Sequence, residues 1–529
     1  MTAATTPAAP TPAAPDDRLS REHVVVIGVL LVATFVVILN ETVMSVAIPV
    51  LQTDLGVPPS VGQWLTTAFM LTMAVVIPLT GFLIQRHGTR TLFVAAMSAF
   101  TVGTVIAFAA PGFEVLLVAR VVQALGTAIM LPLLMTTVMT VVPENRRGVM
   151  MGNISVVIAV APALGPTVSG LVLDNLGWRW VFGVVAPIAA AALVAGLVLV
   201  KPVGPRVSAP IDLLSVPLAV LGFGGLVYGL VGIGEAADHG SAVPVWIPFT
   251  VGACALAAFV ARQLLLARTD RALLDLRVFS SSTFTLSIVA MVVAMATMMG
   301  TFIVVPYFAQ AVLGFSPFTT GLLTLPGGLV MGLAGPVIGR VYDLRGHRPL
   351  VLPGALAITA GVWSLSVVDT STSVWWLLGA NVLLCLGLAA TFTPLMTLAL
   401  GSVAPERYSH GSAALGTFQQ VAGAAGTALF VTVMTVVSAG DHATQAAASE
   451  AIADGVRTVF TVAGCLGIVL IGLVCLLRAP EAARPGDRGR RGGRRGLTPH
   501  DDDGRRRDIP SAAVVVSCQL RRSSTIAMP

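Results

Sequence analysis

The chain has 529 residues, 56% of them hydrophobic and 11% charged, with a mean hydropathy of +0.89. A water-facing surface needs about a quarter of its residues charged, so a soluble globule is excluded and the chain reads as a membrane protein almost throughout. The formal charge of +6 and pI near 9.5 would suit a nucleic-acid binder, but the excess lies in loops and a tail, and no nucleic acid is expected as a partner.

Residues 1–23 are rich in Ala, Pro and Thr, carry charges from Asp16 to Glu22, and read as a disordered N-tail with no cleavable signal. Fourteen apolar runs follow, at 24–49, 61–84, 91–110, 114–141, 148–172, 179–200, 211–233, 244–267, 283–311, 317–338, 349–368, 374–400, 410–438 and 455–477. Each can cross a hydrocarbon core of about 30 Å. None shows the alternation over about ten residues that marks a barrel strand.

Of the 31 Lys and Arg, twelve follow residue 477, and sixteen of the other nineteen lie in or beside gaps facing the same side as the N-terminus. Cationic loops stay in the cytoplasm, so both termini are expected there. Arg179 and Arg457 fall on the other side, and Arg120 falls inside a span. The near absence of lysine suggests a GC-rich bacterial genome, hence a bacterial cell membrane. The last segment, 479–529, is Arg-rich, is expected to be disordered, and should be drawn to anionic lipid. The five cysteines are scattered without metal-ligand spacing; no metal or other cofactor is expected, and the expected assembly is a monomer.

An internal repeat organises the spans. After the second span Gly81, Gln85, Gly88 and Arg90 stand at offsets 0, 4, 7 and 9, and after the tenth Gly339, Asp343, Gly346 and Arg348 stand at the same offsets. Both sets enter short loops, where glycine permits a tight turn and arginine can meet a helix C-terminus or a carboxylate. The expected fold is therefore all-α and integral to the membrane: a six-helix bundle over 24–200, a linker over 201–275 carrying spans seven and eight, and a second six-helix bundle over 276–478. Such symmetry is characteristic of secondary transporters.

The segment Gly81 to Arg90 resembles the loop motif of the major facilitator superfamily. Gly152, Ala161, Gly165, Pro166, Ser169 and Gly170 are similar to its antiporter motif, and Arg120, Gln123 and Gly126 to its R-x-x-Q-G-x-G motif. Leu39-Asn-Glu-Thr42 with Ala47-Ile-Pro49, Trp178-Arg179-Trp180 and Leu273-Leu-Asp-Leu-Arg277 resemble the fourteen-helix drug:proton antiporters of the EmrB/QacA type. The resemblance covers about residues 24–478 and implies the major facilitator fold, with a small molecule and protons as transported partners. The departures are Gln85 and Asn40, which stand where the family usually has aspartates, and Ala161 and Ser169, which replace glycines. The usual carboxylate latch of the first half is thereby weakened, while Asp343 keeps it in the second.

Glu41 is the only one of the 25 acidic residues placed well inside a span, where a charge costs on the order of 2.5–3.5 kcal/mol by insertion scales. Low dielectric favours a neutral carboxyl, as a reversible proton carrier requires. Glu41 lies about 12 Å below the outer end of its span and Arg120 about 9 Å below the same end, at about 1.5 Å per residue, so the two can pair or compete for a proton. Asn40, Gln123, Asn381, Gln419 and Gln420 are candidates to line a central substrate cavity, or to bond between helices. Met295, Met298, Met299 and Phe302 share a helical face and could form an adaptable apolar wall, with ordinary packing as the favoured alternative. Trp64 and Tyr307 read as interfacial anchors. The function expected is proton-coupled export of a lipophilic neutral or monocationic drug by alternating access, with export of a self-made metabolite as the alternative. An intramembrane enzyme would need paired catalytic groups that the sequence lacks. A membrane sensor would need an appended domain.

Overall fold

A computed structural model describes residues 20–203, 212–230, 244, 246–269, 271–438 and 445–477. They fall within one compact unit, Met1–Pro480. The tail expected to be disordered, most of the N-tail, the end of the seventh run and Cys518 lie outside the described residues.

The apolar runs form helices whose surfaces are hydrophobic on all sides, as lipid-embedded helices require. In chain order these are α1 (Arg21–Leu55), α2 (Trp64–His87), α3 (Thr89–Phe108), α4 (Phe113–Val141), α5 (Arg147–Leu176), α6 (Arg179–Leu199), α7 (Ser215–Leu230), α8 (Trp246–Leu266), α9 (Ser282–Ala311), α10 (Pro317–Arg345), α11 (Arg348–Leu365), α12 (Val374–Gly401), α13 (Tyr408–Ser438) and α14 (Gln445–Leu476). No strand occurs among the described residues. Among the described residues thirteen are long and apolar enough to cross a membrane, and α7 is described only as far as Leu230. It begins only after Asp212, whose carboxylate accepts the Ser215 N–H at 3.1 Å.

Helix α1 starts earlier than its apolar run because the Ser20 hydroxyl caps it, accepting from the His23 N–H. It ends later, at Gly56, which takes a left-handed conformation with φ 63°. Gly88 and Gly346, equivalent in the repeat, both adopt positive φ, 75° and 76°. A side chain would be strained at either corner.

The neighbours of the first six helices recur among the last six. α1 packs on α4, α5 and α6, and α9 on α12, α13 and α14; α2 packs on α4 as α10 does on α12; α3 packs on α4 and α6 as α11 does on α12 and α14. The bundles meet reciprocally, through α5 against α10 and α2 against α13, with α4 touching α13 and α12 touching α5. The inserted pair α7 and α8 packs on itself and, through α7, on α2. Trp64, expected as an interfacial anchor, stacks on Tyr228 of α7 at 5.9 Å. Because successive spans alternate in direction, the start of α1 and the α2–α3, α4–α5, α10–α11 and α12–α13 corners share one face. It carries Arg86, Arg90, Arg147, Arg345 and Arg348 and is called the basic face below.

Candidate functional site: a buried carboxylate and the seam between bundles

Glu41 lies on α1, half-buried, and among the described residues it has no hydrogen-bond or ion-pair partner. The next residues are clamped onto α5. A methyl group added at Gly165 would collide with the Thr42 hydroxyl, and Ser169 donates to the Val43 carbonyl at 2.9 Å. Small residues in the α5 motif thus permit close approach. Gly170 is different: an added Cβ there meets nothing within 4 Å.

The opposite face of α5 packs on α10 with equal intimacy. Added methyls at Gly152 and Gly335 would strike each other's backbone carbonyls, and Gly339 would strike the Gly148 carbonyl. One helix therefore touches both the segment bearing Glu41 and the seam between bundles.

Arg120 is 1% exposed. Its guanidinium donates to the Leu65 carbonyl at 3.3 Å and to Gln123 Oε1 at 3.0 Å, and lies 4.1 Å from the Phe69 ring centroid. Gln123 in turn donates to Thr104 Oγ1 at 2.9 Å. Arg120 and Glu41 are close enough to feel each other's charge, but no ion pair within 4.0 Å joins them among the described residues. Of the two relations expected, pairing or competition for a proton, direct pairing is not formed: the guanidinium bonds to the Leu65 carbonyl and the Gln123 amide and lies over the Phe69 ring. Gln123, a cavity candidate, is fully buried in that network.

The other cavity candidates separate into groups. Asn40 is 1% exposed, with both amide atoms lacking partners. Met295 and Met299 face Gly423 of α13, at 3.8 and 3.3 Å from its ideal Cβ position. Gln419 and Gln420, four and three residues earlier, share that side of α13 and are half-buried, as is Phe302. Met298 is packed into the main core instead. Asn381 is buried against Gly327 of α10 and accepts weakly from the Cys385 thiol at 3.9 Å.

At the basic face the repeated loops close the seam in two ways. Asp343 accepts the N–H groups of Gly148 and Val149 at 2.7 and 2.9 Å, a carboxylate cap on the first turn of α5. Gln85, its counterpart, was expected to leave a weak latch, yet its amide donates to the Glu406 carbonyl at 2.8 Å and its Oε1 lies 3.2 Å from His410 Nε2. Gly81 brings α2 so close that an added Cβ would lie 2.9 Å from His410 Nδ1. Arg90 meets a helix C-terminus, donating to the Leu197 carbonyl at 2.9 Å, whereas Arg348 is exposed.

The sequence reading missed His410 and gave no role to Asp275. His410 is 5% exposed, and its Nδ1 accepts the Asp275 N–H at 3.3 Å. The Asp275 carboxylate pairs with Arg277 at 2.9 Å and Arg407 at 3.3 Å. Burial pushes this carboxyl up, but the hydrogen bonds and charge of Arg277 outweigh it and hold the group below the usual carboxylate range. One signal was available: Pro143-Glu144 before α5 and Pro405-Glu406 before α13 mark equivalent points of the repeat, which brings His410 opposite Gln85 by symmetry.

The sequence model of the Major Facilitator Superfamily matches residues 30–427. The chain belongs to that superfamily. Major facilitators are transporters, so this chain is a multi-pass membrane transporter. It is 37% identical over 457 residues to YcnB of Bacillus subtilis, an uncharacterised MFS-type transporter, covering 86% of this chain and 95% of the relative. It is 36% identical over 462 residues to the lincomycin resistance protein LmrB of Listeria monocytogenes, covering 85% and 96%. Against the multidrug resistance protein B homolog of Mycobacterium tuberculosis the identity is 30% over 440 residues, covering 82% and 80%. The human organic anion transporter MFSD10 shares the fold, with a TM-score of 0.59 at 15% identity over 86% of this chain and 100% of that one.

Proposed function

We propose that this transporter exports lipophilic neutral or monocationic compounds in exchange for protons, by alternating closure of its two faces. The observation that carries this reading is Glu41: an acidic side chain within a span, without a hydrogen-bond partner among the described residues, near an arginine whose guanidinium bonds elsewhere, to the Leu65 carbonyl and Gln123. Such a carboxyl can take up and release a proton as its surroundings change, because no fixed partner dictates its state. Its neighbours Thr42 and Val43 touch the small-residue face of α5, and α5 forms the seam with α10. A change at Glu41 thus has a contiguous packed route to the contact between bundles.

A single acid disfavours dications, which would leave one charge unpaired in low dielectric. The relatives named for lincomycin and multidrug resistance support drugs as the cargo class. In this reading the basic face is cytoplasmic, and Asp343 and Gln85 close it while the cavity opens outward.

The test is accumulation of ethidium, and separately of lincomycin, in everted vesicles under an imposed pH gradient. Wild-type vesicles should accumulate at least one probe. Glu41→Gln keeps the shape, removes the proton, and should abolish gradient-driven uptake while binding persists. Uptake by that variant at the wild-type rate sinks the coupling role.

A further inference from the structure

The inserted helices α7 and α8 are joined to the latch at the basic face by two runs of hydrogen bonds linked through the backbone at Leu274–Asp275. Gln263 of α8, next to Arg262, is fully buried, where an unbonded amide would cost several kcal/mol. Both polar atoms of that amide are engaged. Its Nε2 donates to Ser215 Oγ of α7 at 2.7 Å, and its Oε1 accepts the N–H groups of Leu273 and Leu274 at 2.8 and 3.2 Å. Asp212 braces the same corner through a two-pronged pair with Arg262, at 2.6 and 2.7 Å, whose hydrogen bonds pull its carboxyl down to about 2. Gln263 therefore fixes the connector just before Asp275.

The next backbone N–H, that of Asp275, goes to His410 Nδ1. With Nδ1 accepting, the ring proton sits on Nε2 and is donated to Gln85 Oε1, while the Gln85 amide donates onward to Glu406. The charged groups around His410 are Asp275 and Arg277 of the connector and Arg407 before α13. The two halves differ here in a way their symmetry does not require. Asp343 caps α5 directly, whereas Gln85 needs an oriented imidazole, and the connector orients it.

We propose that the α7–α8 hairpin is a positioning element for the transport cycle: through Gln263 it holds the 271–281 connector, and so His410, in the place that lets Gln85 close the first half of the basic face. This rests on the alternating-access reading above. On this view the insertion replaces the carboxylate latch that Gln85 lacks.

The experiment reads closure directly, in the full chain. Spin labels are attached to cysteines introduced at Thr91 of α3 and Leu344 of α10, both exposed at the basic face, in the chain with its native cysteines changed to alanine, and their distance distribution is recorded in lipid nanodiscs. Gln263→Leu removes all three bonds and should lower the ratio of short to long distances at least about five-fold, since one such bond alone is worth about 1 kcal/mol. Gln263→Glu keeps the acceptor for Leu273 and Leu274 and should stay near wild type. His410→Phe should open the face as Gln263→Leu does, and the double variant should open it no further, since both act on one path. A Gln263→Leu distribution like wild type, with His410→Phe shifted, overturns the role of the hairpin. Additive opening in the double variant overturns the shared path. Vesicle uptake that is absent in wild type would sink the export reading and leave the distance result untouched.

Discussion

Asp343 and Gln85 occupy the same place in the repeat but do different chemistry, and their variants should separate accordingly. Asp343→Asn leaves one acceptor for two N–H groups and removes charge from both bonds; because charge-assisted bonds are roughly twice as strong as neutral ones, efflux should slow about tenfold. Gln85→Ala removes neutral bonds only and should slow it about threefold. Initial rates at matched expression decide this, and equal rates would remove the distinction. His347, 6% exposed between α10 and α11, makes a second residue-scale case. Burial first, and then the charge of Arg348, hold it below its ordinary value of 6.5, against a hydrogen bond to the Leu477 backbone. A depressed pKa means the folded state prefers the neutral ring, so stability from this site is complete above pH 6.5 and is lost as pH falls below it. Amide exchange across 345–351 and 470–477, corrected for intrinsic rates, should therefore speed up between pH 7.5 and 5.5 in wild type but not in His347→Gln.

Helix α5 shows why motif membership and geometry must be separated. Gly152 meets the α10 backbone, whereas Gly170 has open space where a side chain would go. Gly152→Ala forces two backbones apart and should cost about 1–3 kcal/mol, lowering Tm and transport together. Gly170→Ala should melt and transport like wild type. If the two behave alike in thermal melts, the close approach of α5 and α10 is not what the motif serves. Much at this scale was legible beforehand, because hydropathy alone encodes spans and repeated glycines encode corners. Gln263 was not legible, and His410 only through the Pro-Glu pairs of the repeat, which place it opposite Gln85 but say nothing of its bond to Asp275 across 135 residues; no local period records such partners. Met298 takes the packed one of its two expected places, which the shared helical face could not decide, since it says which residues neighbour one another but not which turns inward. The unpartnered amide of Asn40 was equally hidden.

Over the whole molecule, two hydroxyl pairs bridge the bundles at places related by the repeat. Thr136 of α4 lies 2.6 Å from Ser412 of α13, and Ser155 of α5 lies 2.7 Å from Thr393 of α12. Each joins the fourth helix of one half to the fifth helix of the other, and all four residues are buried. If the bundles close as rigid bodies, both pairs form and break in a single event, because packed interfaces switch between discrete arrangements rather than deform gradually. Each pair then multiplies the same equilibrium. Thr136→Val should lower the ratio of closed to open basic face about five-fold, Ser155→Ala likewise, and the combination about twenty-five-fold, since one hydrogen bond is worth about 1 kcal/mol and separated effects on one equilibrium add in free energy. The same spin-label distance between Thr91 and Leu344 measures all three. A double variant no more open than either single would mean that the α4–α13 and α5–α12 sides open independently, and the rigid rocking of one bundle against the other would have to be given up.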